Sequence, residues 1–545
     1  MKLLLTALGL LVLAEGQSRP GSIVNLQPFR QTSATRAATL INLNPAMNVW
    51  YLLQVAGKPA YHLENPHPRE ARVLLDEKGI VVVQGRSRYP CDFTALEQGR
   101  SSQLIYYPLC DGRLYLRNPA KGSRTALEAS AEFLRDQVWG GENVVILFHH
   151  LLGERYRETA DLQPGVGTKE GNVAPEGPLP ALIDPSFSTR QVTPGNLGIA
   201  PGKSALTPGA WYATEGNAGA WVSVLQPNFI APSILRSYRK LASGLDNVEA
   251  ASLCYLIAFD LDRIDLGYAL GTEHPQVGWS SRVSAPMRDP DLAGPDGIAN
   301  IAPLVSTGLI RPDEGRNTIA AFTGGFKREH GAFRYGDLAR VNRGSHYGFI
   351  ENGVVFSRLE PGLATIFVLD DDSVGMKTWT EADNKLLPRI KHARQNGVPL
   401  VEPDPATGAP EPGRLVNQWA AGNWSGSEDE KLRTLRAGIA LQNAHGRRFL
   451  IYAVFSDATP SAMARVFQAY QASYGMLLDM NALEHTYLAF YRRSGSALSV
   501  EHLLTGMSVL DKASKSGEVI PRFLGFPDNR DFFYVMRRGA KEVKP

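Results

Sequence analysis

Apolar positions recur along this chain in two periods. Near the start, Ile80-Val81-Val82-Val83 and Val144-Val145-Ile146-Leu147-Phe148 are unbroken runs of strand length, whereas Leu127, Ala131, Leu134 and Val138 fall at i, i+4, i+7 and i+11 and mark one face of a helix. From Trp211 onward strand-length runs dominate, at 253–259, 319–322, 348–356, 364–369, 436–441 and 449–455, with turn residues between them. One helix carries full punctuation. Thr459 is an N-cap followed by Pro460 at the first helical position. Met463, Val466, Phe467, Tyr470 and Tyr474 form an apolar face, and Gly475 is the expected stop. Met476-Leu477-Leu478 then reads as a buried strand that delivers Asp479 to its C-terminal end. The pattern predicts an α+β protein: an N-terminal α/β module over 17–160 and a strand-rich domain over 211–545.

Composition supplies the joint. Residues 161–210 hold 8 Pro and 8 Gly, which predicts a linker. A second Pro-rich stretch, 398–413, reads as a surface insertion. Met1-Lys2 precedes a short apolar block ending in Ala14-Glu15-Gly16, small residues at the positions a signal peptidase requires. Residues 1–16 are thus expected to be a signal peptide cleaved near Gly16, and the protein to be secreted or periplasmic. No other stretch approaches 18 apolar residues, so no membrane span is expected. Lys and Arg number 57 against 54 Asp and Glu, a formal charge of +3 that excludes bulk attraction to nucleic acid.

Three cysteines fit an exported protein that does not depend on disulfides. Cys91 and Cys110, each beside aromatic and proline residues, read either as a bridge closing a hairpin-like stretch or as two buried thiols. Cys254, inside an apolar run, is a core residue. Without Cys-x-x-Cys or His-Glu-x-x-His neither a zinc knuckle, a redox pair nor a zinc-protease helix is supported, and no cofactor is expected. Gly198-Ile199-Ala200-Pro201-Gly202-Lys203-Ser204 is not a phosphate-binding loop: its glycines are one residue too close, and Pro201 removes a needed N–H.

The segment richest in chemistry is Phe322-Thr323-Gly324-Gly325-Phe326-Lys327-Arg328-Glu329-His330. Two glycines after a strand let backbone approach a ligand, and the following cations offer several anion-binding donors. Polar residues also stand at strand ends or beside glycines at Arg343-Gly344-Ser345-His346, Arg436-Ala437-Gly438 and Leu478-Asp479-Met480-Asn481. Gly271-Thr272-Glu273-His274 sets Glu and His side by side in a loop able to border a pocket. Asp370-Asp371-Asp372 reads as an acidic hairpin turn rather than a calcium loop.

The order of the Gly324-Gly325 loop, the Asn352-Gly353 turn, Arg436-Ala437-Gly438-Ile439, the helix and Leu477-Leu478-Asp479 resembles the phosphodiester glycosidase domain family, over about 250–500. Thr323 stands where that family usually has Asn, and Met480-Asn481 where it usually has glycines. The resemblance implies a hydrolase acting on a sugar-phosphate diester or related glycoside. Asp479, Arg436, His330 and His485 would be its catalytic residues, and Thr323, Gly324, Gly325, Lys327, Arg328, His346, Asn481 and Thr486 its substrate-binding residues. The expected partner is a small molecule or glycan carrying phosphate. The same departures motivate an alternative, a non-catalytic carbohydrate-binding or envelope protein on this fold.

Overall fold

The computed structural model describes residues 29–33, 37–125, 128–130, 158–159, 162–164, 176–202, 205–273, 277–280, 283–327, 333, 336–345, 348–418, 432–495 and 497–539. The expected signal peptide, the strand at 144–148, most of the helix at 127–138, and Arg328, His330 and His346 lie outside the described residues.

The fold is α+β and strand-rich. Its centre is an eight-stranded antiparallel sheet in the order Tyr212–Ala213, Ala220–Leu225, Cys254–Asp260, Arg447–Ala458, Thr434–Ala444, Tyr474–Met480, Pro399–Pro403, Pro410–Pro412. A five-stranded sheet, Ile264–Ala269, Phe532–Arg537, Thr318–Thr323, Leu488–Ser494, Ala497–His502, shares its core. The unbroken apolar runs belong to strands buried on both faces: every residue of Cys254–Asp260 and of Tyr474–Met480 is buried. A third sheet carries Phe349–Glu351 and Val354–Ser357, joined at Asn352-Gly353, where both residues take the positive φ that favours Asn and Gly.

The signalled helix is Pro460–Ala469, capped by Thr459, whose Oγ1 accepts from Ala462 N–H at 3.3 Å. Met463, Val466, Phe467 and Tyr470 are fully buried, each contributing about 1.5–3 kcal/mol by burial. It stops six residues before Gly475. Gln471 takes the left-handed conformation after the last turn, and Gly475 is a strand residue. A Cβ there would press on Phe467 Cδ2 at 3.1 Å, so Gly475 serves helix-on-sheet packing.

Two compositional expectations also change. Residues 398–413 are no surface insertion: Leu400 and Val401 are buried, and the segment forms the last two strands of the central sheet, where an edge tolerates proline. Residues 176–202 and 205–210, expected as linker, lie on the main core. Val192 and Leu206 exchange two backbone bonds of 2.8 Å and are buried with Ile199, because apolar residues interleave the prolines.

The N-terminal part is a six-stranded antiparallel sheet beside the meander Ala71–Asp76, Gly79–Gln84, Ser87–Asp92 and the helix Phe93–Ser101. Cys91 and Cys110 are joined by a disulfide, and Cys254 is a buried thiol. Alternation along its strands splits the sheet's faces: Leu40, Leu53 and Leu63 fill its own core, while Ile41, Trp50 and Leu52 join the main core. Buried charge crosses the same junction. Glu64 accepts from Arg117 at 2.8 Å and from Arg311 at 2.6 Å.

Candidate functional site

A β-bulge decides where Asp479 points. Gly438 faces Leu477, and Arg436 faces Met480, so Leu478 and Asp479 together stand opposite Ala437. A Cβ on Gly438 would meet Met463 and Phe467, which puts Gly438, Leu477 and, two residues back, Arg436 on the helix side of the sheet. The extra residue returns Met480 to that side and turns Asp479 to the other, as bulges re-aim side chains.

Arg436 therefore does not enter the site with Asp479. It is buried on the helix side, donating to Ala458 O at 2.6 Å, Leu432 O at 2.9 Å and Met480 Sδ at 2.6 Å. Burial lowers its pKa to about 9, against the nearby carboxylates of Glu249 and Asp457. Its geometry is that of a structural clasp on three chain segments.

On the other side Asp479 meets Arg530, just before the strand Phe532–Arg537. Arg530 Nη1 donates to Asp479 Oδ2, while Nη2 donates to Glu128 Oε1 at 3.0 Å and to His485 Nε2 at 2.7 Å. Glu128 Oε1 also accepts from Lys327 Nζ at 3.0 Å, Arg530 Nε at 3.2 Å and Asn529 Nδ2 at 3.3 Å. Glu273 stands beside them, 3.7 Å from Lys327 and paired with Arg124. Asp479, Arg530, Lys327 and Glu128 are all buried. Residues 122–125 and 128 reach this cluster from the N-terminal part: Ser123 N donates to Pro527 O at 2.9 Å, and Thr125 Oγ1 to Glu484 Oε1 at 3.2 Å.

The two carboxyls on that guanidinium are driven apart. Burial raises Asp479 to about 6, against the pull of Arg530 and of the Met480 N–H bond at 2.8 Å. Burial would raise Glu128 too, but Arg530 and Lys327 outweigh it and hold Glu128 far below the usual carboxylate range. Arg530 is driven further up: burial lowers its pKa, but Asp479 and Glu128 more than offset this.

The tautomer of His485 follows from its partners. A guanidinium offers only N–H groups, so Nε2 accepts; Nδ1 then carries the proton and donates to Met480 O at 2.6 Å. With Nε2 accepting, the ring positions Arg530 in this arrangement.

The other expected residues build the frame. Thr323 Oγ1 donates to His485 O at 2.8 Å, tying the glycine loop to the loop that carries His485. Thr486 Oγ1 donates to Ala482 O at 3.2 Å inside that second loop. Asn481 has φ +82, which Asn tolerates, and its N–H donates to Leu435 O at 2.7 Å. Gly324 and Gly325 do allow close approach, but to the protein's own polar groups: a Cβ on Gly324 would lie 2.1 Å from Asp531 Oδ2, and on Gly325 2.4 Å from Asn396 Oδ1. Arg394 links them, donating to Asp531 Oδ2 at 2.8 Å and to Phe326 O at 3.0 Å. Gly325→Ala is expected to cost about 1–3 kcal/mol by overpacking this network; a denaturation midpoint equal to wild type would show that Asn396 yields freely.

Lys327, Asp479 and His485 thus meet, and Arg436 does not. Sequence reasoning missed Arg530, Glu128, Asp531 and Arg394. Asp528-Asn529-Arg530-Asp531 directly precedes the aromatic strand Phe532–Arg537, the same polar-at-strand-end signal that singled out Asp479. The acidic turn 370–372 lies elsewhere. It forms a hairpin paired with Arg69, Arg389 and Lys391, beside a groove of about 800 Å³.

No family profile and no curated protein matches the chain. Among solved structures it is similar to the catalytic domain of zebrafish N-acetylglucosamine-1-phosphodiester alpha-N-acetylglucosaminidase, auto-inhibited by its pro-peptide. Identity there is 10%, over 60% of this chain and 85% of that one, with a TM-score of 0.30. A protein of Burkholderia pseudomallei described as exported is similar at 11% identity, over 52% of this chain and 74% of that one, with a TM-score of 0.20. Among the described residues no helix is long and apolar enough to cross a membrane, and no group of three or more His, Cys, Asp or Glu has metal-binding geometry.

Proposed function

We propose that this chain is an exported hydrolase that cleaves a glycosidic bond, in a sugar-phosphate diester or a related glycoside. One observation carries the reading. Two buried carboxyls, Asp479 and Glu128, share one guanidinium and are pushed in opposite pKa directions. Such a split assigns an acid and a permanent anion within one site. Asp479, with a pKa of about 6, donates a proton to the leaving oxygen and recovers it from the attacking water. Glu128 stays ionised and stabilises the positive charge that develops at the anomeric carbon. Arg530 fixes both carboxyls, and His485 fixes Arg530. Lys327 and Arg530 are both bound to Glu128, so a phosphate that binds these two cations displaces Glu128 from them.

The acid must be protonated to act, so kcat is expected to be high below pH 6 and to fall as pH rises through about 6. Purified protein is assayed against N-acetylglucosamine phosphodiesters and aryl glycosides. Asp479→Asn loses about 10²–10⁴-fold in kcat. Arg436→Ala, on the opposite face, keeps kcat in its folded fraction. Equal turnover by wild type and Asp479→Asn removes the assignment. The near-complete burial of the cluster favours a second reading, a non-catalytic carbohydrate-binding protein on this fold; sugar binding without turnover is its signature.

A further inference from the structure

Beside the acid–base pair, two polar atoms have no hydrogen-bond partner among the described residues: Asn529 Oδ1, on a fully buried side chain, and Thr272 Oγ1. The Asn529 amide has a fixed sense. Its Nδ2 faces Glu128 Oε1 at 3.3 Å and Glu273 Oε2 at 3.4 Å, and carboxylates only accept, so the opposite end must be the carbonyl oxygen. Thr272 and Asn529 lie on adjacent bonded segments, with Thr272 N donating to Asp528 O at 3.0 Å and Glu273 N to Asn529 O at 3.2 Å. Gly122 crosses both, since a Cβ on it would stand 2.2 Å from Thr272 Oγ1 and 2.6 Å from Asn529 N. An acceptor left bare at such depth costs about 1–3 kcal/mol, so a bound donor is strongly favoured there.

We infer that Asn529 determines specificity: its Oδ1 accepts a hydrogen bond from one ring hydroxyl of the sugar whose glycosidic bond faces Asp479, with Thr272 Oγ1 in the same subsite. A hydroxyl suits the place better than a cation, because Lys327, Arg530 and Arg124 already face the local carboxylates. A hydroxyl is also able to donate to a carbonyl oxygen such as Asn529 Oδ1 and to accept from a hydroxyl such as that of Thr272, which a cation is not. The subsite rests on the glycoside reading above, and deepens it by naming what the site reads: one ring position.

Titration calorimetry on the full chain tests it. The probes are methyl glucosides and methyl N-acetylglucosaminides of both anomers, each with its complete monodeoxy series. In wild type, one deoxy position weakens binding about tenfold and the others far less. In Asn529→Leu that selective loss disappears, all members binding as weakly as the critical deoxy sugar. Thr272→Val removes a hydroxyl that has no partner, so folding is unchanged and the parent sugar alone loses about 3–10-fold. Uniform effects around the ring, an unchanged pattern in Asn529→Leu, or no binding of any probe overturns the subsite and leaves a buried water as its occupant. Turnover is measured in parallel. Selective binding without turnover upholds the subsite and ends the hydrolase reading, and turnover without selectivity does the reverse.

Discussion

Replacing Arg530 by Leu is expected to abolish activity and to lower folding stability by about 3–5 kcal/mol, the usual consequence of removing one partner from a buried ion pair. The guanidinium is almost fully buried and bonds Asp479, Glu128 and His485 together. Without it two carboxyls are left in a dry site with Lys327 as the cation at hand. Both would then have folded pKa values above their unfolded ones, so the variant is most stable in acid and loses stability as pH rises through neutrality. Wild type behaves oppositely at Glu128. Its depressed pKa contributes stability that is present above the unfolded value and is lost as pH falls toward the folded one. Arg530→Lys should not rescue activity, because one ammonium lacks the planar fork that reaches three acceptors. Urea midpoints between pH 4 and 8 check the sign. A variant whose stability follows the wild-type pH curve would mean that Arg530 is not the group holding the two carboxyls.

Glu351→Gln is expected to stabilise the protein at pH 8. Glu351 is buried beneath the N-terminal sheet, and its Oε2 accepts from Leu270 N–H at 3.1 Å. Burial raises its pKa to about 8, with Arg117 pulling down and Glu64 pushing up. The sign follows from a raised carboxyl. Its contribution is fully favourable below the unfolded pKa, near 4.3, and is lost as pH climbs to the folded value. At about 1.4 kcal/mol per pKa unit the loss is about 4–5 kcal/mol at pH 8. Gln keeps the acceptor for Leu270 and carries no proton to lose. Variant and wild type should coincide near pH 4 and separate as pH rises. A variant less stable than wild type at pH 8 would show that the charge on Glu351 is needed by Arg117.

The strands were legible because burial on both faces writes itself as unbroken apolar runs, and 364–369 was read to the residue. The helix start was legible because Thr459 and Pro460 have a local cause. Its end was not, since Gly475 answers to Phe467 across the sheet. The two compositional readings erred for one reason: proline and glycine report local backbone freedom, while the burial of Leu400 or Val192 depends on neighbours far away in sequence. At the site, Asp479 stood out as a polar residue at a strand end, Lys327 as a cation after the glycine pair and His485 as an imidazole able to exchange a proton near neutral pH. Arg436 stood out equally and went to the other face, because a one-residue bulge leaves no mark in apolar spacing.

The sequence alone determined an α+β chain with a buried strand carrying Asp479 near its C-terminal end and, elsewhere along the chain, a glycine pair after a strand, since period, caps and turn residues act within a few positions. Only the tertiary structure decided which charges Asp479 meets. Glu128 and Arg530 are 402 residues apart and share two hydrogen bonds, and the pKa split between Glu128 and Asp479 exists only where three distant segments exclude water together. Proximity between remote segments is set by packing over the whole chain, and no local pattern encodes it.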